Sequence, residues 1–199
     1  MAPKRLLLLA SALALAALLA VGVLQLAARS GTGATPPGAP LTPAQMRAQL
    51  AGSPAPLAAL HAQANELLGG GAGALRARLA TLRGWPVVVN KWASWCGPCK
   101  AEFGTFQRAA ADLGRRVAFI GIDSGDTARG GALRFLHSFP LSYPSYYDPS
   151  EHLGVEVTGS SFVPATVFYN RRGEKYIRQG AYPSAAKLEH DAEFYALGA

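Results

Sequence analysis

Cys96 and Cys99 are the two cysteines of this 199-residue chain, and they stand three positions apart in Trp95-Cys96-Gly97-Pro98-Cys99-Lys100. Two sulfurs one helical turn apart face the same side, so one can attack a disulfide and the other can resolve the mixed disulfide that results. Competing uses of such a pair are weaker. A structural zinc site needs four ligands, and there is no second cysteine pair, while His61, His137, His152 and His190 are scattered without ligand spacing. A purely structural bridge across two residues closes too small a loop to stabilise a fold by much. A reversible dithiol–disulfide pair also suits the surroundings. Pro98 fits the first turn of a helix, which places Cys96 at that helix's N-terminus, where free backbone N–H groups and the positive dipole end favour a thiolate. Gly97 leaves the approach to Cys96 open.

The elements that must hold this pair follow from periodicity. "PVVVNKWA" (86–93) opens with an unbroken β-branched run, as a strand buried on both faces does. After the cysteines, Phe103, Phe106, Ala110 and Leu113 keep a helical period up to Gly114, a plausible stop. "VAFIGI" (117–122) predicts a second buried strand, and Ala132, Phe135, Leu136 and Phe139 mark another helix ended by Pro140. "ATVFYN" (165–170) and "EKYIRQG" (174–180) flank a turn as a hairpin, and 184–197 reads as a closing helix. Upstream, 42–52, 54–68 and 74–82 are expected to be helical, with "LGGGAG" (68–73) breaking the last two apart. The order implies a three-layer α/β domain with a mixed sheet.

The ends bear on compartment. Residues 6–28 carry no charge, enough to cross a bilayer core as one helix of about 20 residues. Lys4 and Arg5 precede this run, and beyond Arg29 no charge appears until Arg47, so the positive-inside bias keeps the N-terminus cytoplasmic and sends the rest outside. A cleaved signal peptide is the rival reading; either way the cysteines are exported, where disulfides persist. The expected organisation is an anchor at 1–29, a flexible linker at 30–43, a helical extension at 44–83 and the cysteine-bearing domain at 84–199. The net charge of +7 is spread over turns and strand ends, as at Arg115-Arg116 and Arg171-Arg172, and does not point to nucleic acid.

"WASWCGPCK" after a buried "VVVN" strand resembles the active-site segment of the thioredoxin superfamily, and more narrowly its membrane-anchored, extracytoplasmic TlpA/ResA-like disulfide reductases. The similarity runs from about Gly84 to Gly180. It implies a thioredoxin-like fold with an extra strand–helix unit between the helix of Cys99 and "FVPAT". It also implies an acid–base role for Glu102 in "CKAEF", and a cis-proline at Pro164 with Val163 before it. That loop, together with Trp95, Gly97 and Pro98, would line the client site, with Trp92 in the core. Three departures stand out. Asn90 occupies the position of a buried aspartate, Gly104 replaces a proline that often follows "EF", and helices are read where the family opens with a β-hairpin. Glu102 is thus the acid–base candidate, its plain alternative being a solvated carboxylate on a helix face.

The resulting expectation is a protein-disulfide reductase that needs no metal or organic cofactor. Disulfide-containing exported proteins would be its clients, apocytochrome c haem-site cysteines among them, and a membrane thiol donor would re-reduce it. A disulfide-donating oxidase, a copper-handling protein and a binding scaffold on the same fold remain open alternatives.

Overall fold

A computed structural model describes residues 40–199. The expected anchor, and the linker as far as residue 39, lie outside them. Among the described residues no helix is long and apolar enough to cross a membrane.

The chain enters already packed. Leu41, expected as linker, is buried with Met46 and Ala111, and its N–H donates to Gln107 Oε1 at 2.6 Å. Thr42 then caps α1 (Pro43–Leu50) in a capping box with Gln45, satisfying N–H groups that a helix start leaves free. Helix α2 (Ala55–His61) stops well short of the expected Leu68. Asn65, with φ of 63°, turns the chain and is tied by its side chain to Leu136 O and Leu141 N, so Leu67–Leu68 become strand β1 rather than helix. Tertiary pairing overrides the helical period there. The glycine run does lie before the next helix, but the helix starts earlier than expected: Gly70, at φ 93°, caps α3 (Gly71–Thr81) from a conformation that favours glycine, and Gly71 and Gly73 fall inside it.

Strand β2 (Val87–Trp92) is buried along its whole length, because it lies at the centre of a six-stranded sheet. The remaining elements are α4 (Gly97–Leu113), β3 (Ala118–Ser124), α5 (Arg129–Ser138), β4 (Ser145–Asp148), α6 (His152–Thr158), β5 (Ala165–Tyr169), β6 (Lys175–Gln179) and α7 (Ala185–Asp191). The expected closing helix is α7 followed by a π-helical turn over Ala192–Leu197. The sheet order is β1-β4-β3-β2-β5-β6, with β1, β4, β3 and β2 mutually parallel, β5 antiparallel to β2, and β6 antiparallel to β5.

Two apolar layers sandwich the sheet. On one face Phe103 and Phe106 of α4, Phe135 of α5 and Leu188 of α7 pack with Val88, Trp92 and Phe168. On the other, Leu57, Leu60, Leu75, Leu82, Leu153 and Val157 cover Val87, Val89, Ile120 and Val167. The segment 44–83 therefore supplies both an edge strand and part of this second layer. Gly114 does end α4, but with φ of −63°; glycine is needed there because a Cβ would run into Ala110 O and Leu50 Cδ2. The architecture is thioredoxin-like, with β4 and α6 in the stretch where the resemblance implied an added strand and helix.

Candidate active site

Parallel strands β2 and β3 end side by side, and the chain leaves β2 at Trp92 to make the turn that carries the cysteines. Cys96 is the N-cap of α4, and its Sγ accepts the N–H of Cys99 at 3.1 Å. Proline at the start of α4 costs no hydrogen bond, since first-turn N–H groups have no helical acceptor. Cys96 and Cys99 are joined in a disulfide, S–S 2.04 Å. Cys96 retains a small exposed area, 5%, whereas Cys99 has none. An incoming sulfur therefore meets Cys96. Trp95, 60% exposed, stands beside it with its indole N–H donating to Gly125 O at 3.1 Å, while Trp92 is fully buried. Gly97 and Pro98 lie at the surface.

Glu102 is one turn beyond Cys99 on the same face of α4 and is wholly buried, which removes the solvated-carboxylate alternative. Its Oε2 accepts the Tyr182 N–H at 2.8 Å; its Oε1 meets no donor. Burial pushes this carboxyl up to about 7, against the Tyr182 N–H and the Arg178 charge that favour ionisation. Asn90, Tyr143 and Thr166 bring further buried polar atoms to the α4 side of the sheet. The Val163–Pro164 peptide is cis, and Val163 packs against the apolar cluster that includes both cysteines.

A model of the Redoxin family matches residues 51–173, more than half of the chain. The chain belongs to the redoxin family. This redoxin is similar to the thiol:disulfide interchange protein DsbE of Tatumella citrea, 30% identical over 132 residues that cover 66% of this chain and 65% of the relative. It is also similar to the thiol-disulfide oxidoreductase ResA of Oceanobacillus iheyensis, 30% identical over 105 residues covering 52% and 54%. The matched stretches thus fall short of two thirds of those relatives' own lengths. A secreted Mycobacterium tuberculosis disulfide oxidoreductase homologous to E. coli DsbE superposes with a TM-score of 0.52 at 27% identity, over 58% of this chain and 85% of that one. A putative DsbE from Chlorobium tepidum, at 24% identity and TM-score 0.54, covers 60% and 85% and supports the fold.

The folded chain brings further polar residues to the redoxin's cysteines that the sequence pattern does not mark. Ser94, between the two tryptophans, gives its N–H and its hydroxyl to the two oxygens of Asp126, each at 2.7 Å. Beneath lies Asp123, in register with Trp92 and fully buried. As a carboxylate neither of its oxygens meets a donor, and its acidic neighbour Asp126 can hydrogen-bond to it only if one of the pair holds a proton. Burial, reinforced by Asp126 and Asp148 and opposed by Arg129, pushes Asp123 up to about 9. The available signal was two acids in "IDSGD" closing a central parallel strand beside the cysteine turn.

Proposed function

We propose that this redoxin is an extracytoplasmic protein-disulfide reductase. The observation that carries the reading is the asymmetry of the disulfide: Cys96, at the start of a helix, keeps a small accessible area, and Cys99 keeps none. In the reduced protein the Cys96 thiolate attacks a client disulfide, forming a mixed disulfide and releasing one client thiolate. Cys99 loses its proton and attacks Cys96 Sγ, which expels the second client sulfur and regenerates the Cys96–Cys99 disulfide. Two electrons pass to the client, and a membrane thiol donor restores the dithiol. Glu102, near neutrality in its titration and one turn from Cys99, accepts the Cys99 proton and returns it during re-reduction. Trp95, Gly97 and Pro98 line the approach, and the Val163 backbone before Pro164 pairs with an extended client segment.

The uncharged run 6–28 behind Lys4 and Arg5 supports a membrane-anchored, exported placement. Clients are then exported proteins with disulfides, including the haem-site cysteines of apocytochromes c. The reduction potential of the purified protein, from equilibration in thiol buffers with trapping of free cysteines, tests the reading. A value near about −270 mV supports a reductase, one near about −120 mV makes it a donor of disulfides. Absence of any reversible transition would end the enzymatic reading.

A further inference from the structure

Lys91 interrupts the apolar run of β2 five residues before Cys96, and its side chain is completely enclosed on the sheet face opposite α4. A buried ammonium is costly unless paired and hydrogen-bonded. Its Nζ donates to the backbone carbonyl of Ser160 at 2.5 Å, and Glu151 and Asp148 supply opposing charge. Asp148 is itself held by the Ser124 hydroxyl and the N–H groups of Leu153 and Gly154. The lysine stem passes so close to α6 that a Cβ on Gly154 would lie 2.5 Å from Lys91 Cε.

The destination of that ammonium is the informative part. In the antiparallel pairing of β2 with β5, Lys91 is opposite Ala165, the residue after the cis-proline. Its backbone thus sits at the downstream end of the loop and its side chain grips the upstream end, at Ser160. Within the loop the Ser160 hydroxyl accepts the Phe162 N–H at 3.1 Å, while the single proton of the Thr158 hydroxyl is shared between Gly154 O at 2.7 Å and the Ser160 carbonyl at 2.8 Å, which leaves the Lys91 ammonium as the donor dedicated to that carbonyl. An apolar side chain of similar length would fill the same space with less desolvation. Packing therefore does not account for a lysine here; the carbonyl does, through a charge-assisted hydrogen bond.

We propose that Lys91 is a positioning residue that fixes the 160–164 loop against the Cys96–Cys99 disulfide, so that the Val163 backbone is presented to an extended protein client. The inference rests on the disulfide-exchange reading above. It separates two kinds of substrate: a protein that must pair with the loop depends on Lys91, and a small disulfide that needs only Cys96 does not.

The test compares reduced wild-type protein with Lys91→Met, which keeps an unbranched apolar stem and removes the charge, on insulin and on glutathione disulfide. The KM for insulin should rise roughly tenfold, while the glutathione-disulfide rate and the reduction potential stay at wild-type values. An unchanged insulin KM, or equal slowing toward both disulfides, overturns the proposal. Should Lys91→Met not fold, Lys91→Gln decides, because it keeps a polar side chain in the strand and removes the charge-assisted bond to the Ser160 carbonyl. It should raise the insulin KM about threefold and leave glutathione disulfide untouched, and an unchanged KM again overturns the proposal. A wild-type protein that reduces neither substrate would sink the exchange reading itself, an outcome distinct from active wild type with an indifferent Lys91 variant.

Discussion

The proposed division of labour between Cys96 and Cys99 follows from a difference in exposure of a few per cent, and it makes a direct prediction. In Cys99→Ser the attacking sulfur remains and the resolving sulfur is gone, so mixed disulfides with clients should accumulate on Cys96. Non-reducing electrophoresis with mass spectrometry would show them; Cys96→Ser should trap far less, because its remaining sulfur has no exposed surface. Glu102 makes a second prediction. With its carboxyl at about 7, the proton-accepting form grows as pH rises through neutrality, so the resolving step should accelerate from pH 6 to pH 8. Glu102→Gln should flatten that profile and slow resolution on the order of a hundredfold. Stopped-flow rates at several pH values check both, and a Glu102→Gln profile still inflecting near pH 7 would assign the proton to another group. Sequence could place Glu102 one turn from Cys99, but not its acidity. That depends on burial and on the Tyr182 N–H, which arrives from 80 residues further along the chain.

At the scale of elements, what could be read from sequence was what is long. Strand β2, with six consecutive buried positions, and the 17-residue helix α4 carry enough residues for a pattern to declare itself. Strand β1 has two residues and β4 has four, too few for any period, and their existence depends on pairing with each other and with β3. Lys91 shows the same limit: in sequence it is a polar break in a strand, and only the folded chain brings it Ser160, Asp148 and Glu151. The close fit of β3 to β4 is likewise invisible in "IGI". A Cβ at Gly121 would collide with Ser145 and come within 3.0 Å of Trp92 Nε1, whose N–H donates to Ser145 Oγ at 3.2 Å. Gly121→Ala must therefore part the strands or break that bond beside the cysteine turn. The expected loss is about 2–3 kcal/mol, read from urea denaturation at constant slope. A loss below measurement error would mean that the sheet absorbs the methyl by a shift the native packing does not suggest.

Across the whole molecule, the buried acids should govern how stability responds to pH. The described ion pairs Arg76–Glu156, Arg116–Glu193 and Arg172–Glu174 are exposed at both partners and contribute little. Asp123 and Glu102 are enclosed, and folding raises both, from 3.8 to about 9 and from 4.5 to about 7. The folded protein thus retains protons that the unfolded chain has already released. Unfolding then releases protons, and stability must fall as pH rises: from about pH 4 to about 7 through Glu102, and on to about 9 through Asp123. Asp123→Asn isolates the larger share, because an amide cannot ionise and can still donate to Asp126, preserving the cradle under Ser94. The variant should match wild type near pH 4 and exceed it increasingly above, by on the order of a few kcal/mol at pH 8 to 9. Thermal melts of both proteins between pH 4 and pH 9 measure this. Parallel curves would show that the proton is not held at Asp123, whereas curves that diverge with pH would mean the turn carrying the cysteines rests on a carboxyl kept neutral by the fold.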